Sequence, residues 1–167
     1  MSDPDPPLQH CFPPVVRADT RLLVLGSLPG AISLARGQYY AHPQNQFWRL
    51  TGPVLGRDLV PLPYEARLQA LLDAGVGLWD TVAAAVRKGS LDADIRRHEA
   101  SDLGSLVAHL PKLRALAFNG GTSARIGRRQ LGDPAGLRLI DLPSSSPAYT
   151  IPFDHKREAW LVLRTFL

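Results

Sequence analysis

The sequence predicts an α/β fold: a three-layer α/β/α sandwich around a central four-stranded parallel sheet. Three observations point there. Short apolar runs alternate with segments of helical periodicity, the pattern of successive β-α-β units. In Arg21-Leu22-Leu23-Val24-Leu25 the apolar run after Arg21 is continuous, as a strand covered on both faces requires. Turn residues then punctuate the chain, at Gly26-Ser27-Leu28-Pro29-Gly30, at Gly120-Gly121 and at Pro143-Ser144-Ser145-Ser146-Pro147.

Taken in order, the first strand covers 21–25 and ends at Gly26. A helix is expected to begin at Pro43, whose fixed φ suits a first turn, and to run toward Gly52-Pro53, which places Asn45 in that first turn. Leu68, Leu71 and Leu72 recur at helical spacing over 64–74, and Gly75 caps that helix before a short strand at 76–79 with Asp80 at its carboxyl end. The stretch 88–101 reads as a loop containing Gly89-Ser90-Leu91-Asp92, and 102–110 as a helix closed by Pro111. A third strand follows at 113–118, a basic helix at 122–131, a fourth strand at 137–142 and a closing helix at 154–166.

With 167 residues and 45% apolar content the chain suits one domain, 15–167, behind a Pro-rich segment, 1–14. Nineteen Lys and Arg against 15 Asp and Glu give a net charge of +4, the sign a nucleic-acid binder needs. Only Lys88, Lys112 and Lys156 are lysines, so the rest of the positive charge is Arg, suited to bidentate phosphate contacts. A genome biased toward Arg codons accounts for that equally well. A single cysteine, Cys11, excludes an intrachain disulfide, a cysteine-held iron–sulfur cluster and a thiolate zinc site, so chemistry without metal or cofactor is expected. No segment has signal-peptide or membrane-span character, so an intracellular, cytoplasmic protein with no membrane partner is expected, as a monomer.

In this topology Leu28-Pro29-Gly30, Asp80, Asn119 and the triple serine all sit at carboxyl ends of strands, so one crevice gathers them. It is rich in neutral hydrogen-bonding groups and poor in nucleophiles. Gly26-x-x-Pro29-Gly30 lacks the Gly-Lys-Ser/Thr end of a P-loop and the third glycine of a dinucleotide fingerprint, and the serines lack a Gly-x-Ser-x-Gly elbow.

Four ordered blocks resemble the uracil-DNA glycosylase superfamily, closest to its hypoxanthine-DNA glycosylase family, over nearly the whole chain: Gly26-Ser27-Leu28-Pro29, Tyr39-Tyr40-Ala41-His42-Pro43-Gln44-Asn45-Gln46-Phe47-Trp48, Gly89-Ser90-Leu91-Asp92 and Leu142-Pro143-Ser144-Ser145-Ser146-Pro147-Ala148. Leu28 stands where similar mismatch-specific uracil enzymes carry a catalytic Asn, and an aliphatic side chain cannot position water. The resemblance instead implies that the catalytic Asn is Asn45. It implies a monofunctional enzyme that flips a deaminated base out of DNA, most simply hypoxanthine, and hydrolyses its N-glycosidic bond to leave an abasic site. A uracil or mismatch-specific glycosylase, or a catalytically silent binder of damaged DNA, remain the alternatives.

Tyr40 is the expected platform for the flipped base, against a role in core filling. Asn45 would orient the attacking water, since a carboxamide both donates and accepts; the structural alternative is a helix-start Asn satisfying backbone donors. His42, Leu28 and Asn119 are further candidates for the base pocket, although His42 could cap the helix and Asn119 could simply tolerate a turn before Gly120-Gly121. Ser27, Ser144, Ser145 and Ser146 are the expected phosphate contacts, or else a solvated Ser/Pro turn. Tyr149 and Ile151 are candidates to wedge into the vacated stack, in a stretch where Tyr149-Thr150 departs from the Asn that relatives commonly show after Ser-Pro-Ala. Asp80 and Asp141 are spare carboxylates able to hold water. Lys156, expected on the closing helix, offers no compelling Schiff-base nucleophile, and Arg125, Arg128 and Arg129 read as a solvated stripe.

Overall fold

The computed structural model describes residues 9–87 and 95–167. Within them, β1 (Gln9–His10) leads to β2 (Leu22–Gly26), then α1 (Ala31–Arg36), α2 (Phe47–Leu55) and α3 (Tyr64–Asp73). Strands β3 (Val76–Asp80), β4 (Val82–Arg87) and β5 (Ile95–Ala100) follow, then α4 (Leu103–Ala108), β6 (Ala115–Asn119), α5 (Gly121–Leu131), β7 (Arg138–Leu142), α6 (Phe153–Leu161) and a 3-10 turn, Val162–Phe166.

The four expected strands form one parallel sheet in the order β3-β2-β6-β7. Successive residues of β2 serve opposite cores because side chains alternate across a strand. Leu22 and Val24 pack with Phe47, Leu50, Leu71 and Trp160 beneath α2, α3 and α6. Leu23 and Leu25 pack with Leu103, Phe118 and Ala124 beneath α4 and α5. Both faces being covered explains the unbroken apolar run.

The chain leaves β2 toward β3 on one side and later reaches β6 on the other, so the carboxyl ends of β2 and β6 flank a topological switch point. Crevices open there because the two crossovers diverge.

Two expectations are corrected. The helix does not start at Pro43: the Asn45 N–H donates to the His42 carbonyl at 2.9 Å, closing a turn with Pro43 at its second position, and α2 begins at Phe47. Proline favours that turn position as much as a helix start, so Asn45 stands just ahead of the helix and not in its first turn. The stretch 88–101 is not all loop, because β5 pairs antiparallel with β4, and β1-β4-β5 make a second small sheet. The short helix α1 was also absent from the sequence reading. Gly89-Ser90-Leu91-Asp92 lies outside the described residues. Of the Pro-rich start, β1 pairs with β4, the Cys11 N–H donates to the Ala83 carbonyl, and Val15 bridges Leu78 along the β3 edge.

Among the described residues no helix is long and apolar enough to cross a membrane.

Candidate functional site

A cavity of about 470 Å³ opens at the switch point, bounded by the loop after β2, the turn before α2, the end of β6 and the loop after β7. The glycines at its edge have specific reasons. A Cβ on Gly26 would meet Asp80 Oδ1 at 2.6 Å and the Tyr40 hydroxyl oxygen at 3.1 Å, so only glycine lets these three positions converge. Gly120, at φ +97°, turns the chain from β6 into α5 against Ser144.

Tyr40 lines this cavity with one ring face stacked on Phe47, centroids 3.8 Å apart and planes 10° from parallel. Phe47 is fully buried, so the stack fixes the tyrosine ring from below. Backbone contacts hold the loop in place: the Ala41 N–H donates to the Ser33 hydroxyl at 3.0 Å, and Trp48 Nε1 donates to the Tyr40 carbonyl at 3.3 Å. Tyr40 has φ +52°, the one described non-glycine residue in the left-handed region, a conformation that costs about 1–3 kcal/mol and persists where surroundings over-determine it.

Asn45 and His42 also line the cavity. Asn45 Oδ1 accepts the Phe47 N–H at 3.0 Å, which orients the carboxamide and leaves its Nδ2 donors without a partner among the described residues. His42 Nδ1 accepts the Gln44 N–H at 3.1 Å, so the ring is part of the same turn. Leu28 is buried, packs with Val82 and Ile126, and contributes an apolar wall; Ser27 is buried beside it.

Asn119 reaches the cavity from the end of β6, but its carboxamide is engaged. Nδ2 donates to Ser145 Oγ at 2.9 Å and to the Tyr40 hydroxyl at 3.3 Å, while Oδ1 accepts the Ser145 N–H at 2.9 Å. Ser145, expected among phosphate contacts, is therefore a buried keystone, 1% exposed, and its carbonyl accepts the Gln46 N–H at 2.9 Å. Ser144 and Ser146 differ. Each hydroxyl accepts the N–H two residues on, from Ser146 at 3.1 Å and Ala148 at 3.2 Å, and neither O–H has an acceptor among the described residues.

Tyr149 is 46% exposed at the rim, and Ile151 is half-buried beyond it, outside the cavity lining. Asp80 is buried in the lining at the end of β3. Asp141 is not: it is exposed and paired with Arg128 at 3.0 Å, while Arg125 and Arg129 lie exposed on α5. Among the described residues no group of three His, Cys, Asp or Glu converges as metal ligands would.

Gln46 had no role in the sequence expectations, and Lys156, expected on the closing helix, lies there, but its burial was not expected. Lys156 is almost wholly buried, its Nζ donating to Gln46 Oε1 at 2.9 Å and to the Ser146 carbonyl at 3.2 Å. Burial holds its pKa below the ordinary lysine value. The available signal was spacing: Phe153, Lys156 and Trp160 fall on one helical stripe, so this lysine occupies a core-facing position.

The profile of the uracil DNA glycosylase superfamily matches residues 13–164. A hypoxanthine DNA glycosylase of Methanosarcina barkeri is 44% identical over 149 residues, 89% of this chain and 93% of that protein. A hypoxanthine DNA glycosylase of Methanosarcina acetivorans is 40% identical over 92% of this chain and 96% of its own length. The solution NMR structure of a protein from Methanosarcina acetivorans, described as a candidate uracil DNA glycosylase, superposes with a TM-score of 0.84 at 36% identity, covering 95% of this chain and 98% of that one.

Proposed function

The chain belongs to the uracil DNA glycosylase superfamily, and from that premise we propose that it is a DNA glycosylase that excises hypoxanthine from DNA by hydrolysis. The observation that carries this reading is a cavity at the switch point, able to take one flipped base with room for water, whose platform is Tyr40 and whose carboxamide donor unengaged among the described residues belongs to Asn45.

The reaction exchanges the bond from the sugar C1′ to the base nitrogen for a bond from C1′ to water oxygen. The base departs with the electron pair and takes up a proton. Positive charge develops on the sugar and negative charge on the base, so useful groups hold water on one side and donate hydrogen bonds on the other. Asn45 meets both needs: Oδ1 retains a second lone pair for water, and Nδ2 can donate to the oxygen or a ring nitrogen of the purine. Asp80, at the cavity wall, is a second group able to hold the water. Stacking on Tyr40 is worth about 1–3 kcal/mol and offsets the few kcal/mol that unstacking costs. Ser144 and Ser146 donate to backbone phosphates; Ser145 and Asn119 hold the loop that presents them, and Asn119 keeps only a spare acceptor lone pair for a base. Tyr149, exposed at the rim, is the proposed wedge into the vacated stack.

A monomer is the proposed working unit. Uracil is the second reading, favoured by the description of the structural relative; the buried aliphatic Leu28 argues against water being held from the loop after β2. The test is excision from duplexes carrying one hypoxanthine or one uracil by the wild type and by Asn45→Ala. Loss of hypoxanthine excision with DNA affinity retained supports the reading, and unchanged excision by the variant overturns the role of Asn45.

A further inference from the structure

Lys156 lies on the stripe of α6 that carries Phe153 and Trp160 and is 1% exposed, yet its charge has no counter-ion within ion-pair distance among the described residues. Its contacts are neutral: Gln46 Oε1 from the turn before α2, the Ser146 carbonyl from the loop after β7, and the Tyr149 ring at 5.5 Å. On α6 itself Asp154, His155, Arg157 and Glu158 are exposed, and Asp141 on β7 is held by Arg128 of α5. An ammonium has three donors, of which two are used. Burying such a charge is costly unless something opposes it, and a methionine would fill the same stripe without that cost.

The two loops that Lys156 joins have different tasks in the reaction. The Ser146 carbonyl it holds belongs to the loop whose Ser144 and Ser146 line the cavity, and the Gln46 side chain it holds follows Asn45 directly. We propose that Lys156 is a positioning residue that supplies the positive charge facing the DNA phosphate seated on Ser144 and Ser146, and that ties this loop to the turn bearing Asn45. The proposal rests on the glycosylase reading. Phosphate is the missing counter-ion, and its arrival tightens the lysine's hold on both loops, linking backbone grip to the placement of the catalytic carboxamide.

The test uses a duplex with one tetrahydrofuran abasic-site analogue, so that binding does not depend on which base is excised. The slope of log Kd against log salt is measured for the wild type, Lys156→Met and Gln46→Met. Lys156→Met is expected to lower the slope by about one, the share of one phosphate contact. Gln46→Met, which removes the acceptor and keeps the charge, is expected to keep the wild-type slope. An unchanged slope in Lys156→Met overturns the proposal, as does an equal loss in Gln46→Met. Should Lys156→Met fail to fold, the Lys156 Cε resonance of the wild type is titrated with and without the duplex. Binding is expected to move its titration upward, and an unmoved titration overturns the proposal. If no base is excised at all, the glycosylase reading fails while the salt slopes still decide the role of Lys156.

Discussion

The hydrogen bond from the Phe47 N–H to Asn45 Oδ1 determines what that carboxamide can do, because it fixes which end faces the cavity. Replacing Asn45 by Ala removes the group that orients water; single-turnover excision is expected to fall about 10²–10³-fold, the usual effect of losing one preorganised polar group, with affinity for an abasic-site duplex nearly unchanged. Tyr40→Ala instead removes the platform and should weaken binding to a hypoxanthine duplex by about 1–3 kcal/mol, readable in a direct titration. An affinity as tight as the wild type would show that Tyr40 is only packing on Phe47. Tyr40 and Asn45 were legible in the sequence because they belong to one continuous motif. The engagement of Asn119 with Ser145 was not, since it joins residues 26 positions apart that meet only where β6 and β7 end side by side. Lys156 was hidden for the same reason: its partner Gln46 is 110 residues away.

Among the elements, the parallel strands were legible because two-sided burial leaves unbroken apolar runs, whereas β5, Ile-Arg-Arg-His-Glu-Ala, has no apolar alternation to mark it as a strand. The helix α1 is only six residues long and ends at Gly37, φ +63°, too short for periodicity to register. The misplaced start of α2 arose because a proline suits a turn and a helix start alike, and only the hydrogen bond from Asn45 to His42 distinguishes them. Packing of α5 on β6 gives a prediction at this scale. A Cβ on Gly127 would stand 2.2 Å from the fully buried Phe118 ring, so Gly127→Ala should lower stability by about 1–3 kcal/mol in urea unfolding, despite the better helix propensity of alanine. A stability equal to the wild type would mean that the interface between α5 and β6 repacks freely.

For the whole molecule, the strand order β3-β2-β6-β7 places the cavity at its switch point; the four parallel strands and their shared carboxyl edge were legible in the sequence, whereas their order came only with the structure. Its stability should also report on the core that adjoins the cavity. Burial raises the Tyr39 phenol above its ordinary value of 10.0, so above that pH the unfolded chain loses a proton that the folded chain keeps. Stability is then lost by as much as about 1.4 kcal/mol for each further pH unit. Lys156 acts in the opposite sense, because its lowered pKa lets the folded chain shed a proton first, but that gain ends at the ordinary lysine value of 10.5. Unfolding free energy is therefore expected to fall in alkaline solution beyond that point, and Tyr39→Phe should flatten the fall. The decisive property is which base leaves the DNA. The measurement is strand cleavage of duplexes carrying one hypoxanthine or one uracil opposite each of the four bases, with and without alkali. Cutting at hypoxanthine that requires alkali is the predicted result, the signature of a hydrolytic glycosylase leaving an abasic site. Cutting at uracil alone, or binding with no cutting at either base, would contradict it.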